Sequence, residues 1–242
     1  MTQLAKDPGR QHACRLLPRF IGMDIRMAGE RLGNRLGLRK LRDAISDDYA
    51  LPDSKLVTDA LIWVREVSSP MLLNHCLRSH AFGAIVGKRC DIKVDREVFA
   101  LTAIMHDVGL TPDYAEKPGS FEYVGAAAAH DFCCGHGLDH AKAAEVHNAI
   151  ARHAAVGEAH KEGPATALIH FGAGADVLGI KLHDIPKPLL HEVLEAYPRL
   201  DFRQAFPALM EEQARIKPQG YTAGHMALGF GKKTRCAPIP ER

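Results

Sequence analysis

Val98-Phe99-Ala100-Leu101-Thr102-Ala103-Ile104-Met105-His106-Asp107-Val108-Gly109 is the stretch on which the fold turns. Residues 99 to 105 are almost entirely apolar, as in a buried helix, and Gly109 followed by Pro112 gives the usual stop. The helix closes on two adjacent polar residues, His106 and Asp107. A buried imidazole and carboxylate without partners cost several kcal/mol, so something must satisfy both. Taken alone, a His-Asp hydrogen bond that caps the helix would do so.

The flanking sequence reads as helix on both sides. Pro52-Asp53-Ser54 opens one carrying Leu56, Ala60, Trp63 and Val67 on a single face; Ser68-Ser69-Pro70 stops it and starts another that runs to about Lys88. Downstream, helices are predicted over 120–134, ended by Gly135, over 139–154 with Asp139 as cap, and over 165–178. Further helices are expected around 188–197, 202–216 and 221–229. No segment alternates with period two, so the expected fold is an all-α bundle with short loops.

Composition sets the frame. The chain has 242 residues, 31 Lys and Arg against 29 Asp and Glu, and 46% hydrophobic residues, which suits one soluble domain with an extension. A net charge of +2 gives no reason to expect nucleic acid. No apolar run approaches the ~20 residues of a membrane helix, and MTQLAKDPGR lacks the apolar stretch of a secretory signal. A cytoplasmic protein with reduced thiols is expected, since the six cysteines form no C-x-x-C pair. The first 45 residues hold ten of the basic residues against four acids, and Leu16, Phe20, Met23 and Met27 recur there at helical spacing. Residues 1–50 are therefore read as a basic extension whose helix docks on the body, a dimer mate, another partner or a membrane surface. Residues 51–230 form the helical domain and 231–242 a tail.

Twelve of the 14 histidines fall between His75 and His191, which points to a site in the middle of the chain. His75 shares a stripe with Met71, Phe82 and Val86, so it points into the core. Asp176 does the same on its helix, in line with Ile169, Gly172 and Gly179. Three helices thus each aim imidazole or carboxylate inward, a pattern that one divalent metal explains more simply than three separate hydrogen bonds. Gly172 and Gly174 would let the last of these helices approach its neighbours closely.

His75, then His106-Asp107, then Asp176 resembles the H…HD…D signature of the HD superfamily of metal-dependent hydrolases, an all-helical fold whose ligands come from separate helices. Within it the chain is most similar to the cyanamide-hydratase-like branch, through Asn74-His75-Cys76-Leu77-Arg78, Met105-His106-Asp107-Val108-Gly109-Leu110-Thr111, Phe121-Glu122 with Gly125, and Leu168 to Gly179. The resemblance covers roughly residues 52–195. It implies His75, His106, Asp107 and Asp176 as metal ligands and favours a single zinc, although the ligand set also suits iron, manganese or nickel. His130, His147 and His153 lie where binuclear members insert further histidines. The chain departs from the branch at Val124-Gly125, at Cys76 and at His80.

Further roles follow. Glu122, in the first turn of its helix, is the candidate acid-base group and is expected to be held ionised by the helix dipole. His153 is placed in the site as a proton shuttle beside Asp107. Phe121, His147 and Arg78 are candidate substrate-binding residues; pairing with an acid such as Asp107 is the alternative role for Arg78, and His170 is expected to pack near the site. The leading functional expectation is a metal-dependent hydratase or hydrolase that adds water to a small nitrogen-containing electrophile, cyanamide- or nitrile-like, to give urea or an amide. A phosphohydrolase acting on a nucleotide or other phosphate ester is the second. It would need several convergent Lys and Arg, and only Arg78, Lys117 and Arg152 lie near the motifs. A non-catalytic HD module that senses a ligand or scaffolds a partner is the third. A small-molecule substrate is the expected partner, and a homo-oligomer is left open.

Overall fold

The computed structural model describes residues 3–7 and 13–241. Among these residues the chain is 70% helical, with twelve α-helices and no strand, so the all-α expectation holds. In chain order the helices are α1 (Ala13–Arg35), α2 (Lys55–Val67), α3 (Pro70–Arg89), α4 (Arg96–Met105), α5 (Pro112–Ala115), α6 (Phe121–Gly135), α7 (His140–Arg152), α8 (Pro164–Leu178), α9 (Lys187–Ala196), α10 (Phe202–Ile216), α11 (Tyr221–Ala227) and α12 (Phe230–Arg235).

Local chemistry sets most of these boundaries. The hydroxyls of Ser54 and Ser69 accept from the N–H groups of Val57 and Leu72, and the carboxylates of Asp95 and Asp139 cap α4 and α7 in the same way. Pro70 occupies the first turn of α3, and α8 ends at Gly179 in the left-handed region, with φ +74°. The four-residue α5 and six-residue α12 had no counterpart in the sequence reading, because such short helices complete too few turns to show a 3.6-residue period.

The central contact is α3 against α8, the most extensive helix pair. It depends on Gly172: a Cβ there would lie 1.9 Å from the carbonyl oxygen of Ser79. Helix α4 sits among α2, α3, α7 and α8, burying Leu101, Ile104 and Met105 against Val146 and Ile150. Because α4 ends at Met105, His106 and Asp107 fall in the turn that follows it. A second close approach fixes that turn against α6, since a Cβ on Gly109 would lie 2.0 Å from the Phe121 carbonyl oxygen. Phe121-Glu122 is thereby brought beside His106-Asp107. On the other side, Phe202, Phe206 and Met210 of α10 pack with Leu72 and Phe121.

Neither end of the described chain hangs free. Leu16 and Phe20 of α1 are buried against Val156 and Tyr221, so the basic helix docks on the body. Glu30 pairs with Lys181 at 2.8 Å, and Arg39 with Asp184 at 2.6 Å. The segment expected as a C-terminal tail is also part of the packing: Ala237 and Ile239 are buried against the cluster that holds Phe82 and Val193.

Gly172→Ala forces α3 and α8 apart. At about 1–3 kcal/mol for overpacking and about 2–4 °C per kcal/mol in a chain of this size, the expected melting temperature falls by roughly 2–12 °C. Gly135→Ala, where a Cβ meets nothing within 4 Å, leaves it unchanged or raises it. Differential scanning calorimetry of the two variants checks this.

Candidate metal centre

Three of the expected ligands meet in the core. His75 from α3 and the His106-Asp107 pair form a group, all buried, whose ligand atoms lie within 4.8 Å of one another and could hold a metal ion. The Nε2 atoms of His75 and His106 are each 3.4 Å from Asp107 Oδ2. Both His106 Nε2 and Asp107 Oδ2 are buried without a hydrogen-bond partner among the described residues. Two orphaned polar atoms converging from one turn, with a second imidazole beside them, fit a divalent cation chemically.

The imidazoles are oriented from behind. His106 Nδ1 bonds the Ala103 carbonyl at 2.8 Å, His153 Nδ1 the Ile150 carbonyl at 2.7 Å, and His170 Nδ1 the carbonyl of His153 at 2.8 Å. A carbonyl accepts only, so each Nδ1 must carry the proton and each Nε2 is left with its lone pair. Burial reinforces this by pushing the pKa of His106 down to about 3 and those of His153 and His170 down to about 4. All three rings are therefore neutral at physiological pH.

Asp176 lies outside this group. It sits behind His75, its Oδ2 2.7 Å from Nδ1 of that ring, and it also accepts from Arg78 Nε at 2.9 Å, from Arg78 Nη2 at 2.8 Å and from Arg199 Nη1. Burial alone would raise its pKa, but Arg78, His75 and Arg199 outweigh burial and hold the carboxyl well below the ordinary carboxylate range. The expected fourth ligand is thus a carboxylate that orients the His75 ring, with both oxygens already engaged by cationic or N–H donors.

The same arrangement corrects the expectation for Arg78. It is fully buried, and its remaining nitrogen, Nη1, donates to the carbonyls of Tyr197 and Pro198, so nothing is left to meet a substrate. Its acidic partner is Asp176 rather than Asp107. His147 also leaves the site: its ring bonds Asn148 at 3.1 Å and lies edge-on to His130, away from the metal group. His80 is structural, stacked on Phe99.

The metal group opens on a cavity of about 70 Å³ lined by Phe121, Glu122, His153, His170, Phe206 and His225 among others. Among the described residues that line it there is no Lys or Arg. An apolar cavity of about 150 Å³ admits benzene, so this one suits a molecule of only a few heavy atoms. His153 Nε2 stands 4.0 Å from Asp107 Oδ1, and the ring centroids of His106 and His153 are 5.0 Å apart.

Glu122 departs from expectation in its charge state. Both carboxyl oxygens are buried with no hydrogen-bond partner among the described residues, and burial pushes the pKa up to about 8. The group is a neutral acid at pH 7, because desolvation outweighs the helix terminus. It also borders a second cavity of about 110 Å³ that includes Arg19, Arg152 and Tyr221.

Two residues of the site carried no signal in the sequence. Arg199 lies between helices, where no periodicity marks it as buried, yet it is fully buried against Asp176. His225 sits on the seven-residue α11, with Nε2 buried, unpartnered among the described residues, and its pKa pushed down to about 3 by burial.

The site therefore defines a helical protein with a buried His-His-Asp group able to hold a metal. No protein-family model matches the chain, and no curated protein matches it.

His106→Ala and Asp107→Ala are expected to lose bound metal, measured by mass spectrometry of protein exchanged into zinc-buffered solution. Asp176→Asn should still bind, with affinity weakened about 10- to 100-fold, the usual effect of losing a partner behind a ligand histidine.

Proposed function

We propose that this protein is an HD-type, metal-dependent hydratase or hydrolase that adds water to a small, neutral, nitrogen-containing electrophile, such as cyanamide or a simple nitrile. The observation that carries the reading is the His75-His106-Asp107 group, with orphaned ligand atoms, facing a cavity of about 70 Å³ that has no Lys or Arg among its described lining residues. A phosphate ester brings at least one negative charge, and among the described lining residues no Lys or Arg stands beside the metal group to meet it. The ordered sequence pattern His75, His106-Asp107, Asp176 supports the HD assignment, and two imidazoles with one carboxylate are compatible with zinc.

A divalent ion bound to this group would lower the pKa of coordinated water toward 7 and act as a Lewis acid. The chain's own residues divide the proton work. Glu122, protonated below about pH 8, is the acid; His153, neutral above about pH 4, is the base. As water adds to the nitrile carbon, the new C–O bond forms and one π pair of the C≡N bond moves to nitrogen. That nitrogen takes the Glu122 proton, while His153 Nε2 receives the proton that water gives up. Return of this proton to Glu122 closes the cycle, and the imidic acid rearranges to an amide or, from cyanamide, to urea. Two titratable groups with pKa values driven apart by their surroundings suit such a division.

Turnover of cyanamide, simple nitriles, nucleotides and p-nitrophenyl phosphate by metal-loaded protein tests this. Hydration without phosphatase activity is expected, and robust phosphatase activity without hydration overturns it. The rate should fall as pH rises and Glu122 loses its proton, with a midpoint below the metal-free value of about 8 because a bound cation favours the carboxylate. Glu122→Gln is expected to lower kcat by about 10²- to 10⁴-fold and to abolish that alkaline limb.

The same substitution should raise stability. The folded-state pKa of Glu122 is raised above its ordinary 4.5, so its contribution is fully present below that value and is lost as pH climbs to about 8. Glu122→Gln should therefore melt higher than the parent protein, with a larger difference at pH 8 than at pH 5.

A further inference from the structure

Helix α1 has two apolar faces, and the fold uses only one. Leu16 and Phe20 are buried on the body. A quarter to half a turn away, Leu17, Ile21, Ile25, Ala28 and Leu32 follow one another at spacings of three and four, and Leu36 extends the line. Its Leu and Ile members are between 47% and 68% exposed, a continuous stripe rather than scattered apolar residues.

The charges around the stripe are sorted. The acids of α1 are each neutralised by a lysine of the body, the exposed Asp24 pairing with Lys233 at 3.0 Å and the half-buried Glu30 with Lys181 at 2.8 Å. Arg31 and Arg35 border the stripe on one side and Arg26 on the other, with Lys40 just beyond the helix. All four are exposed and have no ion-pair partner among the described residues. A second copy of the same face would set these cations against one another. An anionic surface would meet them and take up the apolar stripe between them.

We propose that the outer face of α1 docks the protein on an anionic lipid surface, lying in the interface plane with Leu17, Ile21, Ile25 and Leu32 inserted. No helix is long and apolar enough to cross a membrane, so the contact is peripheral. It is independent of the chemistry assigned to the metal group.

Flotation of the full chain with vesicles tests it, comparing phosphatidylcholine alone with an equimolar mixture of phosphatidylcholine and phosphatidylglycerol. Binding is expected only to the mixture and should be lost at about 0.5 M salt, where charges are screened within a few ångströms. Arg31→Gln with Arg35→Gln should weaken partitioning about thirtyfold, at about fivefold per basic residue. Ile25→Asp should abolish it without lowering the melting temperature, since the side chain touches no core. Failure to float with the mixture, or equal binding to neutral vesicles, overturns the proposal. So does a solution dimer that Ile25→Asp converts to monomers, which would make the face an interface between copies.

Discussion

A single buried carboxylate holds the site in register. Asp176 on α8 is met by His75 and Arg78 from α3 and by Arg199 from the segment leading into α10, so one side chain ties three parts of the chain together. Removing one partner from such a cluster leaves an uncompensated buried charge, at about 3–5 kcal/mol. The cluster can form only because Gly172 lets α8 lie against the backbone of α3. With the carboxylate anchored by two guanidinium groups, the His75 ring is fixed from its Nδ1 side and its Nε2 is turned toward Asp107.

The rest of the site repeats that logic with cheaper parts. Backbone carbonyls hold the Nδ1 protons of His106, His153 and His170, leaving neutral rings with lone pairs available on Nε2. Burial then acts with opposite sign on acids and bases, keeping the imidazoles neutral and Glu122 protonated. The result is a small cavity lined by neutral imidazoles, apolar side chains and the Glu122 and Asp107 carboxyl groups, while the guanidinium groups of Arg78 and Arg199 sit behind its walls.

The helical pattern was legible because long amphipathic segments, capping residues and Gly or Pro stops are local features. His75, His106 and Asp107 were legible too, since polar residues on otherwise apolar stripes must find partners. Other expectations failed where a local signal was overruled by packing. The helix terminus should have kept Glu122 charged, but complete burial dominates. Arg78 and His147 lie close to site residues in sequence, yet Arg78 is consumed by Asp176 and His147 projects toward His130. Arg199 and His225 could not be found from pattern, because neither lies on a helix long enough to display one.

The order of residue types along the chain was sufficient for the all-α architecture, the basic N-terminal helix and the inward placement of two histidines and two aspartates, all of which follow from periodicity and the cost of burying polar groups. Which carboxylate joins the His75-His106 group and which stands behind the His75 ring was settled only in three dimensions. That choice depends on where two arginines, 23 and 98 residues from Asp176, come to rest when the helices pack. No local pattern encodes that meeting, because it is made by close approach of α3, α8 and the start of α10.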